Sequence, residues 1–262
     1  MGVNEKGLAI VNSTSKDLPS APAGYTNGAL MRKALGYFAT VQEFEDFLIA
    51  TNTTGRKTQA NFGLIDSTGA AVIFETSGKQ YWKFNAANEL QAPHSYIIRT
   101  NFSLTGGGSL GVERYRRTQD LMEQLYSENK LNYASIIRYH FRDFSDAQNQ
   151  PVNIPFNSKW DELFPFGYIN TSYSVCRYIS ISASVIRGVH STEHPYLSTL
   201  WTALGQPACA LTLPYWPVGN SAEESRGGSI APLYKLSESI KSFLFDYPGN
   251  RDYLEWIRES VC

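Results

Sequence analysis

The sequence predicts a layered α+β fold, and three observations carry that expectation. Helical stretches with apolar residues at spacings of three and four follow the first strand, a run of short alternating strands follows those helices, and a second strand group precedes the C-terminal helices. Aromatic residues make up 13% of the chain, with 16 Tyr and 14 Phe, which favours strands. Two readings of that aromatic content stay open: sheet packing alone, or a cleft that stacks on flat or apolar ligands. A chain of 262 residues buries roughly 70 to 75% of its unfolded surface, so a substantial core is expected.

Gly2-Val3-Asn4-Glu5-Lys6-Gly7 reads as a tight polar turn that runs straight into an apolar strand, Leu8 to Asn12. Such a start resembles an entry from mid-protein, so a segment upstream of Met1 is expected. A Ser-, Pro- and Gly-rich loop from Ser13 to Gly28 connects to a helix, Ala29 to Phe38. Thr40-Val41-Gln42-Glu43 is a capping box for a second helix that buries Val41, Phe44, Phe47 and Leu48. Asn61 to Asp66, the turn Ser67-Thr68-Gly69 and Ala71 to Glu75 form a hairpin. Tyr81 to Phe84 extends it, and Tyr96 to Phe102 is the expected fourth strand, ending at Gly106-Gly107-Gly108.

Gly111 to Asn129 then reads as a helix with Leu121, Met122, Leu125 and Tyr126 inward, and Tyr133 to Phe144 as another. Pro151, Pro155 and Pro165 make Asp146 to Gly167 an irregular surface loop that would border a pocket. Ser174 to Val189 reads as a long half-buried strand paired with Cys209 to Tyr215. A polar loop, Gly219 to Gly228, leads to helices at Leu233 to Phe245 and Arg251 to Val261. No internal repeat appears, and the chain reads as one domain, residues 1–262.

Composition excludes several function classes. A net charge of -1 offers no basic excess for a phosphate backbone, so nucleic acid is not an expected partner. No run approaches the ~18 apolar residues of a membrane span. Three cysteines, Cys176, Cys209 and Cys262, are widely spaced and suggest neither a zinc knuckle nor a disulfide framework. Cys176 and Cys209 sit in apolar strand-like runs, where a thiol behaves as a small hydrophobe. His94 and His140 lack a G-x-S-x-G or Cys motif nearby, so no triad is indicated.

His190-Ser191-Thr192-Glu193-His194 fits the inverted zinc-protease pattern H-x-x-E-H, which needs a helix to bring both imidazoles onto one face. Here Pro195 pushes His194 out of the α region, so a solvated turn is expected. No metal and no cofactor are predicted.

Asn4, in the first turn, and Asn101, at a strand end before the glycine run, are the candidate chemical groups. An uncharged amide donor suits an oxyanion in acyl transfer because it does not compete for the proton. The alternative is that both bond neighbouring backbone, as turn asparagines do. Arg114, in Glu113-Arg114-Tyr115-Arg116-Arg117, either faces the same cleft or lines a surface.

Gly2-Val3-Asn4-Glu5-Lys6-Gly7-Leu8 resembles the G-[MV]-N-E-[KA]-G-L turn of the choloylglycine hydrolase and penicillin acyltransferase group of N-terminal nucleophile hydrolases. Ala60 to Asp66 with Phe74-Glu75-Thr76 is similar to that group's strand pair, and Arg99-Thr100-Asn101-Phe102 to the strand carrying its oxyanion asparagine. Glu113 to Arg117 resembles its R-[FY]-x-R helix start. Cys176 to Ser180 and Leu200 to Pro207 look most like secreted acyltransferase-like members from bacteria.

The resemblance implies a four-layer αββα sandwich and hydrolysis of, or acyl transfer from, a linear amide C–N bond in a small-molecule substrate. It implies that Asn4 and Asn101 match the oxyanion positions and Arg114 the arginine near the nucleophile. In that group an N-terminal Cys attacks through sulfur and uses its own α-amino group as base. Met1 and Gly2 offer no such side chain, so the chain as it stands is expected to be inactive unless an upstream Cys-bearing segment is supplied. An upstream signal peptide would make the protein secreted or periplasmic. A sandwich without its first strands leaves a sheet edge open, inviting association with a second copy or with the absent segment. The alternative is a non-catalytic small-molecule-binding protein that has kept the sandwich.

Overall fold

The computed structural model describes residues 1–145, 168–245 and 253–255, and shows a mixed α+β chain with antiparallel sheets. Its described residues divide into two compact units: one comprises Met1–Tyr115, Ile186–Leu200 and Trp216–Gly219, and the other takes the remainder.

The first unit is built on a five-stranded sheet in sequence order: β1 (Gly2–Val3), β2 (Ala9–Thr14), β3 (Ala60–Ile65), β4 (Ala71–Thr76) and β5 (Tyr81–Asn85). The turn between β1 and β2 forms because the Asn4 side chain mimics backbone, its Oδ1 accepting from the N–H of Lys6 at 3.1 Å and of Leu8 at 3.0 Å. Gly7 completes it at φ 82°, a conformation that costs a Cβ-bearing residue strain. Two helices, α1 (Asn27–Tyr37) and α2 (Val41–Thr54), lie against one face of the sheet. The capping box expected at Thr40 and Glu43 is present, and Asp66 adds a second tie by accepting from the first helical N–H, Val41, at 2.7 Å.

Strand register sorts the sheet's side chains by face. Ile10, Leu64 and Val72 share one cross-strand row, and Phe62 and Phe74 face each other in the next. They point at Leu30, Ala34, Val41, Phe44 and Leu48 of the helices. Each such side chain contributes about 1.5 to 3 kcal/mol by burial, so this face is the unit's main stabilising element. The opposite face carries the alternate rows, Val11, Gly63, Ile73 and Phe84, then Ser13, Asn61, Glu75 and Trp82.

Arg56, just past α2, is fully buried and bonds no carboxylate among the described residues. Its guanidinium instead donates to the carbonyls of Leu48, Ser77 and Gln80, Thr51 Oγ1 and Asn52 Oδ1, knotting the helix end to the β4–β5 turn. Burial pushes its pKa down to about 10, so it stays charged at neutral pH.

The expected fourth strand, Tyr96 to Phe102, forms no strand: residues 96–100 have no regular structure, Asn101 and Phe102 lie in a bend, and the segment joins no sheet among the described residues. Its carbonyls are taken by side chains rather than by a ladder: Asn61 Nδ2 donates to Thr100 O at 3.2 Å and to Phe102 O at 2.8 Å. The helix after it, α3 (Val112–Ser127), buries Leu121, Met122 and Leu125, whereas Tyr126 points outward, 45% exposed.

In the second unit, the stretch read as a helix from Tyr133 splits into one α turn, α4 (Tyr133–Ser135), capped by Asn132, and a π turn over Ile136–His140. β6 (Tyr168–Asn170) pairs antiparallel with a C-terminal strand over Tyr253–Glu255. That pairing corrects the helix expected over Arg251 to Val261 at those three residues. The rest of that stretch, the loop Asp146 to Gly167 and Cys262 lie outside the described residues.

The long strand expected over Ser174 to Val189 shortens to β7 (Ser182–Arg187). Before it, Ser174 Oγ donates to Thr171 O and Cys176 O, and Ser180 Oγ accepts from Arg177 N–H, so local side-chain bonds hold turns where a ladder was expected. Its neighbour is β8 (Thr199–Leu204), and β9 (Thr212–Tyr215) lies beyond β8 in the sheet order β7-β8-β9. Cys209 belongs to a 3-10 turn, Pro207–Cys209, that Gln206 caps by accepting from Ala208 N–H at 2.7 Å. The helix expected at Leu233 is α5 (Pro232–Leu244), and the strand over Tyr253–Glu255 is β10. Among the described residues no helix is long and apolar enough to cross a membrane.

Two predictions follow from this packing. Arg56→Met removes five hydrogen bonds from a buried cation site and should cost roughly 3 to 5 kcal/mol of stability by urea unfolding, with the deficit only partly restored in Arg56→Lys. His140, at the end of the π turn and bonded to Thr118 Oγ1 at 3.1 Å, has its pKa lowered by burial and by Arg117, against an opposing pull from Asp143. A depressed folded pKa means that the unfolded chain binds the proton first. Stability from this site is therefore full above the ordinary His pKa of about 6.5 and falls as pH drops below it. The urea midpoint should decline from pH 7.5 to 5.5, with a shallower decline in His140→Gln.

Candidate active site

The sequence-predicted residues Asn101 and Arg114 meet in the first unit. Arg114, in the first turn of α3, donates from Nη2 to Asn101 Oδ1 at 2.7 Å. That bond fixes which way the amide faces, and Asn101 Nδ2 donates to Thr14 O at 3.0 Å, at the end of β2. An amide nitrogen carries two hydrogens, and Thr14 takes one. The other has no acceptor among the described residues. Gly111 makes the contact with Arg114 sterically feasible, because a Cβ there would sit 2.4 Å from Arg114 Nη2, and its φ of 81° suits glycine.

Asn4 does not join this pair. Its side-chain amide donates to Leu35 O at 3.1 Å and Phe38 O at 2.8 Å, closing the C-terminal end of α1. Its backbone N–H bonds Leu8 O, whereas Asn101 bonds Thr14. Six residues of extended chain separate those two attachment points, about 20 Å. Asn4 thus follows the backbone-bonding alternative, and both of its amide hydrogens are spent.

The segment around Asn101 is held by residues that sequence reading did not single out. Asn61, 2% exposed, donates to the carbonyls on either side of Asn101 and accepts from Ser103 Oγ at 2.9 Å. Ser13, its neighbour on β2, donates from Oγ to Thr100 O. Glu75, paired with Asn61 across β3 and β4, accepts from Arg99 Nε at 2.6 Å and from the N–H groups of Leu104 and Thr105, each at 2.9 Å. Asp17 Oδ2 accepts from Ser103 N–H at 2.6 Å and Gly108 N–H at 3.2 Å. A Cβ on Gly106 or Gly108 would fall within 2.7 Å of the Asp17 side chain, which accounts for glycine at both positions. The available signal was a polar residue at an inward position of an otherwise apolar strand, as at Asn61 and Glu75.

The remaining candidates have local surroundings of their own. His190 to His194 form a turn in which Glu193 accepts from His190 N–H at 2.8 Å and Arg187 Nη2 at 2.9 Å. Those two donors hold its carboxyl below the usual range. His194 stacks on Tyr196 with centroids 5.0 Å apart. Among the described residues no three His, Cys, Asp or Glu side chains are grouped to hold a metal. Cys176 and Cys209 are buried in the second unit, in turns rather than strands, with Cys176 Sγ accepting from Gln206 Nε2 at 3.0 Å.

What the Asn101 arrangement can do is place one uncharged N–H, pre-oriented by a guanidinium, toward an oxygen that gains negative charge. The model of the acyl-coenzyme A:6-aminopenicillanic acid acyl-transferase family matches residues 1–168, a span that contains Asn101, Arg114 and all five strands of the first sheet. No curated protein and no solved structure matches the chain. With a match over more than half of its length, the chain belongs to this penicillin acyltransferase and choloylglycine hydrolase-like family of N-terminal nucleophile acyltransferases and hydrolases.

Proposed function

We propose that the protein supplies the oxyanion side of an N-terminal nucleophile active centre that cleaves, or transfers the acyl group of, a linear amide in a small-molecule substrate. The observation that carries this reading is the Asn101 amide, gripped at its oxygen by Arg114 and left with one hydrogen to give. As the amide carbonyl becomes tetrahedral its oxygen gains charge, and a donor already in place meets that charge with no reorganisation. Val11, Gly63 and Ile73, one row along the same sheet face, offer an apolar surface that suits the acyl flank; Val11 is 38% exposed.

The nucleophile in this reading is a Cys on polypeptide N-terminal to Met1 or on another chain. Its thiol proton passes to its own α-amino group, sulfur attacks the carbonyl carbon, the C–N bond breaks, and the amine leaves with that proton. Water or an acceptor amine then takes the acyl group from sulfur and restores the thiol. The outer edge of β2 is where such a segment fits, because β1 pairs only with Ala9 and Ile10 and the edge at Asn12 has no ladder partner among the described residues. Completed in this way, the reading is one four-layer αββα domain, residues 1–262 together with the added strand.

A second reading is a binding protein that has kept the scaffold without the chemistry. It draws on the same Asn101 amide, which, held by Arg114 and Thr14 O, suits gripping a ligand oxygen as well as an oxyanion.

Activity on simple acyl amides should be absent from the 262-residue chain and present when its in-frame upstream coding sequence supplies a Cys. Silence in both forms favours the binding protein. In the active form, Asn101→Ala should lower turnover by about 10² to 10³. Unchanged turnover removes Asn101 from the reaction.

A further inference from the structure

The geometry points to Glu75 as the positioning residue of this site, a role that rests on the reading of Asn101 as the oxyanion donor. Glu75 is fully buried in the middle of the sheet. Its Oε1 accepts from Arg99 Nε at 2.6 Å and Leu104 N–H at 2.9 Å. Its Oε2 accepts from Thr105 N–H at 2.9 Å and Thr105 Oγ1 at 2.5 Å.

A carboxylate has about four lone-pair directions, and all four are used here. Glu75 therefore has no acceptor capacity left for substrate or for a proton shuttle, and acts through the chain it holds. The four donors come from two residues before Asn101 and from three and four residues after it. Asn61 grips the same chain one residue before and one residue after Asn101. Because this segment pairs with no strand among the described residues, its backbone path is set by side chains, Glu75 and Asn61 being joined by Ser13, which donates to Thr100 O, and by Asp17, which accepts from Ser103 N–H.

Glutamine cannot replace this group. It offers a single oxygen and turns an N–H pair toward donors, so either Arg99, whose side chain is 6% exposed, or Thr105 loses its partner. The guanidinium of Arg99 is confined on its other side by the Phe84 ring, 4.4 Å to the centroid, and has little room to find a new one. A displacement of about 1 Å at a group that must meet a developing charge is enough to cost on the order of 10² in rate.

The test is solution NMR on the 262-residue chain with ¹⁵N-labelled asparagine, the Asn101 side-chain resonance being assigned by its loss in Asn101→Ala. In Glu75→Gln that resonance should shift or broaden while Asn4, at the far end of β2, stays in place. An Asn101 resonance that superimposes on wild type overturns the assignment. Should Glu75→Gln not fold, two measurements decide instead. In the unaltered protein the amides of Leu104 and Thr105, both on exposed residues, should exchange at least ~10²-fold slower than in an unstructured chain. The surface variant Thr105→Val, which removes one of the four donors, should move Asn101 in the direction of the glutamine variant by a smaller amount. Unprotected amides, or an unmoved Asn101 in Thr105→Val, refute the role. In a form that turns over, Glu75→Gln should lower kcat about 10²-fold with KM unchanged. A silent Asn101→Ala in that form removes the oxyanion reading, while the NMR result reports separately on whether Glu75 holds the segment.

Discussion

A polar row on one face of the first sheet, half-buried Ser13 beside buried Asn61 and Glu75 across three strands, sets the terms for everything that surrounds Asn101. Buried polar groups must find partners or carry a penalty of about 1 to 3 kcal/mol each. The sheet's own hydrogen bonds are already made along the ladders, so these side chains reach outward for donors and acceptors. The segment from Arg99 to Thr105 supplies them, and its path follows from that demand. Apolar residues at 61 and 75 would leave the carbonyl of Phe102 and the amides of Leu104 and Thr105 without these partners, and the carbonyl of Thr100 with Ser13 alone.

The other face of the same sheet answers a different constraint. There the rows led by Ile10 and Phe62 meet two helices through close-packed apolar contact, with Phe44 touching both Phe62 and Phe74 in edge-on and tilted geometry. Burial on that side supplies stability and is indifferent to direction, while hydrogen bonding on this side supplies direction at little net gain. The split lets one sheet serve as both anchor and template. Arg56 shows the same economy at the helix end, where one cation binds carbonyls of both the helix and the following turn.

Legibility in the sequence followed from how local each signal was. Thr40 to Glu43 could be read because a capping box is written within four residues, and the β3–β4 hairpin because its turn and its alternation are contiguous. Tyr96 to Phe102 has the alternation of a strand, but alternation reports side-chain direction and not the identity of the backbone's partner. Its partners are side chains some 40 positions away in sequence. Ser174 to Ile181 failed as a strand for the converse reason, since its serines bond backbone within three residues. Of the site, Arg114 and Asn101 were visible through resemblance, and Asn4 was carried along by a motif whose local job is to make a turn.

Gly111 ties these themes to one missing methyl. The Arg114 guanidinium occupies the space where a side chain at 111 would begin, so the two positions share one volume. Effects of changes at 111 and 114 will therefore not add, and tolerance at either depends on the residue present at the other. In a library of variants, this pair should emerge as epistatic although the two residues stand three apart in the chain and only one of them carries a side chain.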